Sequence, residues 1–351
     1  MGSTLQTRYC LEELLKDSNH EIPAVFALDE KTRFQEGGYT TKVRSAEFFD
    51  LEKQYDFKLH LGSMKNPANE DLIKKLNPDL ILAPGSSEII PGNLLNIPKF
   101  GSIGSHGALL PYVKGGASMN WALIFGEKKW GTSLFYLTEE IDEGTIVGVK
   151  EFPVYENDNI NSLHNRADLH TVDLIKEILP FIEDGSLKPI IDTIKTIKLQ
   201  KRKPQKNGIN WNEIFEWNKY IINGYNNRDM HKRVYLPSRK SADGIINWDR
   251  SNEELYNWIR ALTHPFHGAF TFLKNKKTCI WGSEKIDTDE KNDPGIIYEI
   301  NNNGIYTSTK GGSLLIKKIQ YGNEPELHGY DFCLRHNIKI GDKFSNYPKN
   351  D

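Results

Sequence analysis

Two short runs in the first hundred residues are apolar at every position: Ala24 to Leu28 (AVFAL) and Leu80 to Ala83 (LILA). A strand with one wet face alternates apolar and polar residues, so an unbroken run needs cover on both faces. Helical patterns lie around them. Leu11, Leu14 and Leu15 share one face of an opening helix, and Ala46–Tyr55 and Asp71–Leu76 read as two more. Apolar runs alternating with helices predict an α/β domain with a doubly wound, mostly parallel sheet and a site at the carboxyl ends of its strands. The first helix pattern begins almost at Met1. That leaves little room for the strand that usually opens such a domain: either the strand is cut to a few residues or the domain starts upstream of this chain.

From Lys128 the pattern turns strand-like, at Thr132–Leu137 and Ile146–Val154, before a helix carrying Leu163, Ala167, Leu174, Ile178 and Phe181. Pro189–Asp243 is polar and rich in Lys and Asn, and reads as a linker with one inserted amphipathic helix, Trp211–Ile222. Ser251 with Glu254 three residues on is a capping-box pattern that starts a helix at Asn252–Leu262. Five short strands follow: Ala269–Leu273, Lys277–Trp281, Gly295–Glu299, Gly304–Thr309 and Ser313–Gln320. Asp293-Pro294-Gly295 and Asn302-Asn303-Gly304 supply turns, because Gly and Asn tolerate positive φ. A small OB-like β-barrel closes such strands. The expected division is an α/β catalytic domain over 1–188, a linker over 189–243 and the barrel domain over 244–351.

Charge narrows the partners. The chain of 351 residues has 45 Lys+Arg against 47 Asp+Glu, a net charge of −2, so no overall basic field advertises nucleic-acid binding. Lys198, Lys201, Arg202, Lys203 and Lys206 do cluster, and such a run reads as a solvated linker. Cys10, Cys279 and Cys333 are far apart and show no metal-ligand spacing, so neither a disulfide framework nor a structural metal is expected. A reducing compartment, the cytoplasm, fits this usage. No signal-peptide pattern and no apolar run long enough to span a bilayer appears, so no membrane partner is expected.

Chemistry concentrates in Phe100–Ile146. His106 follows an apolar stretch, Leu109-Leu110-Pro111 makes an abrupt turn, Lys114-Gly115-Gly116 reads as a flexible basic loop that opens a helix, and Asp142 sits in a turn after a strand. A His beside a carboxylate can relay protons near neutral pH. Acyl transfer to an amine needs such a pair, together with stabilisation of a tetrahedral oxyanion. Taken singly, His106 also suits a residue that satisfies a local hydrogen bond, and Asp142 an Asx turn.

In order, His106, Leu109-Leu110-Pro111, Lys114-Gly115, Trp121, Gly126-Glu127, Gly131-Thr132 and Asp142-Glu143-Gly144 resemble the signature of the formyltransferases that use 10-formyltetrahydrofolate. That family includes methionyl-tRNA, glycinamide ribonucleotide and nucleotide-sugar branches. The resemblance extends to Pro78-Asp79-Leu80, to Ala242-Asp243-Gly244 through Trp248, to Tyr256–Ala261 and to Pro265–Ala269, which look like the C-terminal barrel of the methionyl-tRNA and sugar branches. It implies that His106 polarises the formyl carbonyl and that Asp142 holds His106 and passes protons. It also implies that 10-formyltetrahydrofolate, as co-substrate, is gripped by Ser86, Ser87, Glu88, Ile89 and Ile90, by Leu110, and by the turn containing Glu139 and Ile141. No metal is implied.

The family's Asn two residues before the His is Gly104 here; Gly104, Ser105, Asn120 and Lys114 are the candidates for oxyanion or substrate support. Loss of an oxyanion donor costs roughly 100- to 1,000-fold in turnover, so a catalytically weakened folate-binding relative stands as an alternative. Tyr235–Gly244 resembles the segment entering the second domain of aminoarabinose-type sugar formyltransferases. The implied acceptor is a small-molecule amine, first a dTDP- or UDP-linked amino sugar, with another small amine or tRNA as alternatives. A homodimer through the C-terminal domain is expected by the same analogy. His164 and His170 read as surface or satisfied core residues of a helix, and His264 and His267 as shapers of a loop.

Overall fold

The protein is described from a computed structural model covering residues 1–17, 19–35, 42–86, 88–187, 234–289 and 292–347. Ser87, the Lys198–Lys206 cluster and the predicted helix Trp211–Ile222 lie outside the described residues.

The two apolar runs become β1 (Ala24–Ala27) and, later in the chain, β3 (Ile81–Ala83). The opening helix is α1 (Leu5–Leu15). Between the two strands come α2 (Glu30–Gln35), α3 (Phe49–Gln54), β2 (Lys58–Leu61) and α4 (Ala68–Leu76). Strand β2, KLHL, went unread in the sequence because only Leu59 in it is buried. After β3 the chain forms α5 (Gly92–Leu95), β4 (Ser102–His106), β5 (Val113–Gly115), α6 (Ser118–Ile124), β6 (Lys129–Tyr136), β7 (Ile146–Pro153) and the long α7 (Ile160–Glu183).

Strands β1 and β2 pair in parallel, as do β3 and β4, and β6 and β7 then extend the β3–β4 sheet as an antiparallel hairpin. Between β1 and β3 the first two residues make a single rung. Gly2 N–H donates to Phe26 O at 3.0 Å, and the Met1 amino group donates to Leu82 O at 2.5 Å. A cavity of about 880 Å³ opens beside that rung, walled by Leu11, Leu14, Val25, Leu82 and Leu179. Burial lowers the Met1 amino pKa to about 6.

Strand β8 (Val234–Leu236) pairs in parallel with β5. Helix α8 (Asn252–Leu262) starts at the predicted capping box: Ser251 Oγ accepts from Glu254 N–H at 3.2 Å, and Ser251 N–H donates to Glu254 Oε2 at 3.0 Å. Strands β9 (Ala269–Leu273), β10 (Lys276–Ile286), β11 (Ile297–Asn301), β12 (Gly304–Thr309) and β13 (Gly312–Tyr321) follow. The short β14 (Leu327–His328), the unpredicted helix α9 (Gly329–His336) and β15 (Phe344–Ser345) complete the order. Their antiparallel sheet runs β11-β12-β13-β10-β9-β15 and curls until its ends meet. The ends are joined by a bridge between Ile296 and Lys343 and by Phe344 N–H donating to Gly295 O at 2.9 Å. No helix among the described residues is long and apolar enough to cross a membrane.

One apolar core runs from α6 and the start of α7 into α8 and the curled sheet. All seven residues of α6 are buried, which suits a helix apolar on nearly every side. Trp121, fully buried, stacks on Phe125 and donates from Nε1 to Pro237 O at 3.0 Å. Asn120 Nδ2 donates to Ala261 O at 2.7 Å and so ties α6 to α8. Trp121→Ala is expected to cost about 3–5 kcal/mol. Urea unfolding followed by circular dichroism and by scattering should show a single coincident transition for both halves, shifted to lower urea in the variant.

Candidate active site

His106 is the last residue of β4, and its neighbours hold that strand end rigidly. Gly107 O accepts from both Trp130 Nε1 and Ser118 Oγ at 2.8 Å, and Ala108 O accepts from Ser133 Oγ at 2.7 Å. The imidazole makes a hydrogen bond to the Val113 backbone, and its Nδ1 lies 3.5 Å from Asp142 Oδ1. Its Nε2 is buried with no hydrogen-bond partner, so the Val113 bond belongs to Nδ1. Burial pushes the His106 pKa below its ordinary value, and the Asp142 charge offsets this in part. Burial thus favours the neutral ring, and the nitrogen left without a protein partner is Nε2.

Asp142 sits in the left-handed region at φ 57, which Asp tolerates in turns. The turn can close because Gly144 follows: a Cβ there would lie 1.5 Å from Tyr136 O. Closure brings Asp142 Oδ2 to Gly115 N–H at 2.9 Å, leaving Oδ1 for the histidine. Gly115 in turn adopts φ 93, and a Cβ there would meet Leu236 O at 2.3 Å. The segment Lys114-Gly115-Gly116 is therefore not the flexible basic loop expected. Lys114 and Gly115 belong to strand β5, pressed against β8, and just beyond it Gly116 N–H donates to Leu236 O at 3.0 Å. Lys114 is buried and paired with Glu143 at 2.5 Å.

The proposed oxyanion supports are committed elsewhere. Ser105 Oγ donates to Gln6 Oε1 at 2.6 Å and accepts from Gly85 N–H at 3.1 Å. The Asn120 amide donates to Ala261 O at 2.7 Å. Gly104 faces Leu137: a Cβ would fall 2.5 Å from Leu137 Cδ2. At position 104 packing against Leu137 thus stands where the family's Asn would be.

Two loops flank the other side of His106. In one, Ser86 Oγ donates to Glu88 O at 3.0 Å, Glu88 accepts from Met64 N–H at 2.8 Å and from Ser63 Oγ, and Ile90 is buried. The second carries Glu139 and Ile141. Glu139 lies against Gly92 at the start of α5, where a Cβ would come within 2.1 Å of its carboxylate. Ile89 and Ile141 stand 57% and 58% exposed, apolar surface that suits the flat face of a bound heterocycle. Glu88 turns inward to the backbone, and Leu110, 2% exposed, packs on Phe135 and Ile146 beneath the site.

A cavity of about 430 Å³ adjoins His106 where the two halves of the chain meet. Its lining includes residues not anticipated from sequence: Gln6, Arg44, Asp168 and Arg239. Arg44 is buried, donating to Asp168 at 2.6 Å, Asn161 at 3.0 Å and Asn165 at 3.2 Å. Burial raises the Asp168 pKa to about 6 despite this partner. Arg239 packs its guanidinium over Trp258 at 4.6 Å and Trp121 at 5.4 Å. His164 and His267 line the same cavity. His164 is neither a surface nor a satisfied core residue, since its Nε2 is buried without a partner. The legible signal was Asp168 and Thr171, polar and buried on an otherwise apolar helix face. Among the described residues no three His, Cys, Asp or Glu side chains converge as a metal site.

The formyl transferase profile matches residues 3–179 and the formyl transferase C-terminal domain profile matches residues 239–337. The chain belongs to the formyl transferase family. The methionyl-tRNA formyltransferase of Bacillus pumilus is 30% identical to this formyltransferase over 275 residues, 78% of this chain and 75% of that protein. HypX from Aquifex aeolicus in complex with tetrahydrofolic acid overlays with a TM-score of 0.57 at 16% identity, covering 92% of this chain and 51% of that one. This chain therefore spans about half of HypX. The N-formyltransferase from Helicobacter canadensis, in complex with folinic acid and dTDP-3-aminofucose, overlays with a TM-score of 0.57 at 16% identity, covering 92% of this chain and 97% of that one. At that identity the two overlays show a shared fold. Family membership makes this chain an N-formyltransferase whose donor is a folate.

Gly104→Asn in this formyltransferase is expected to cost about 1–3 kcal/mol through overpacking against Leu137. Adding Leu137→Ala should recover part of the loss. Urea midpoints of the single and double variants check both.

Proposed function

We propose that this formyltransferase moves the formyl group of 10-formyltetrahydrofolate to the amine of a nucleotide-linked amino sugar. The observation that carries the reading is the cavity of about 430 Å³ against His106, walled by both halves of the chain and lined by polar side chains. That volume falls in the range of small-ligand pockets, roughly 300–1,000 Å³. The balanced net charge of −2 points the same way, since phosphate contacts dominate RNA binding. A methionyl-tRNA acceptor is the second reading, favoured by the 30% identity to the Bacillus pumilus enzyme.

The donor supplies an activated formyl carbon, and the protein supplies proton handling. The incoming amine attacks that carbon and gives its proton to His106 Nε2. The imidazolium then donates to the oxygen that gathers charge and finally returns the proton to the departing nitrogen. Asp142 Oδ1, 3.5 Å from Nδ1, offsets the positive charge while it lasts. In the roles of the supporting loops, Ser86 to Ile90 and Glu139 to Ile141 hold the folate through backbone groups and the faces of Ile89 and Ile141.

Release of tetrahydrofolate, measured against a panel of dTDP- and UDP-linked amino sugars with charged initiator tRNA included, tests the acceptor. Release that depends on one amino sugar supports the reading, and release with tRNA alone replaces it. His106→Ala and Asp142→Ala should each lower turnover at least about tenfold without unfolding the protein; wild-type rates in either variant would end the assignment. Neutral His106 is the active form, so protonation removes the lone pair that accepts the amine proton. Turnover should therefore fall toward acid with a midpoint below the ordinary imidazole value of 6.5. A pH–rate profile that declines from above pH 7 contradicts this.

A further inference from the structure

His164 belongs to α7, four residues before Asp168, and both line the cavity that His106 adjoins. Its ring stacks on Phe266 from the second half of the chain, with centroids 6.0 Å apart and planes 15° off parallel. Its Nε2 is buried and has no hydrogen-bond partner in the protein. An unpaired polar atom in a buried wall costs free energy unless a ligand satisfies it. His106 Nε2 is in the same condition in the same cavity, and there the reaction itself supplies the partner. Two histidines that line one small chamber therefore each carry an unmet nitrogen.

We propose that His164 is a specificity residue for the acceptor: its Nε2 takes a hydrogen bond with a hydroxyl of the amino sugar while His106 serves the amine. This rests on the amino-sugar reading and names the polar group that the cavity selects. The chemistry narrows the partners of this nitrogen. Burial and the nearby Arg44 charge push the His164 pKa down to about 3, so the ring is neutral at working pH and offers no cation to a phosphate. A neutral imidazole pairs with a hydroxyl, which can donate or accept. The pair Arg44–Asp168 and the stack on Phe266 hold the helix and ring in place, so the nitrogen is set before the acceptor arrives. A site built to meet a substrate hydroxyl rejects analogues that lack it far more strongly than an apolar pocket does.

The test uses the full chain with His164→Phe, which keeps an aromatic ring against Phe266 and removes the nitrogen, and His164→Gln, whose amide can reach the Nε2 position. Steady-state kinetics are measured with dTDP-3-aminofucose and the other members of the dTDP- and UDP-amino-sugar panel, and tetrahydrofolate affinity is measured separately by titration. The expected result is a rise of at least about tenfold in acceptor KM for His164→Phe, with kcat and folate affinity within about twofold of wild type. His164→Gln should recover most of the loss. Equal loss of folate affinity and acceptor affinity in His164→Phe, or no recovery in His164→Gln, overturns the proposal in favour of a structural role. Turnover of tRNA but of no amino sugar also overturns it, while leaving formyl transfer intact. Absence of any tetrahydrofolate release, with folate still bound, overturns both this proposal and the transfer reading on which it rests.

Discussion

Helix α6 has no solvent face, and most of the architecture follows from finding partners for it. Seven buried residues in a row bury more apolar surface than one sheet can cover, so α7 must close on one side and α8 with the curled sheet on the other. The single core that results makes the two halves one packing unit. The polar atoms of α6 are spent on the same joint, Trp121 on Pro237 and Asn120 on Ala261. A chamber at the seam of such a core inherits rigid walls from both sides.

That seam holds the proposed reactive pair. His106 and Asp142 come from the end of β4 and the turn after β6, and neither is held by the other alone. Val113 fixes the imidazole, and Gly115 fixes the carboxylate. The histidine keeps one nitrogen bonded and one open, which is the division of labour a proton acceptor needs. Desolvation favours the neutral ring, and the 3.5 Å gap to Asp142 leaves the carboxylate charge ready for the moment the ring becomes positive.

Much of this was legible in the sequence. The unbroken runs AVFAL and LILA gave the two inner strands, because only a doubly covered strand tolerates them. Ser251 and Glu254 marked the start of α8, since cap chemistry is local. His106 and Asp142 could be singled out by their order among the surrounding glycines and the Leu109-Leu110-Pro111 turn. What escaped was whatever depends on residues far apart. Strand β2 has too few buried positions to announce itself. Lys114-Gly115-Gly116 looked like a loop because nothing local reveals that β8, more than a hundred residues later, lies against it. The polar wall of Gln6, Arg44, His164 and Asp168 is assembled from three distant segments, and single histidines and arginines carry no signal of what they will face. Gly104 read as a lost donor, and only the fold shows that Leu137 fills its place.

The pairing of β8 with β5 has a mechanical side. Gly115 gives its N–H to the Asp142 carboxylate, and its neighbour Gly116 gives its own to Leu236 at the end of β8. A displacement of β8 would therefore reach the Asp142 carboxylate through two adjacent amides. The carboxylate proposed to serve His106 thus stands one residue away from the contact that holds β5 to β8.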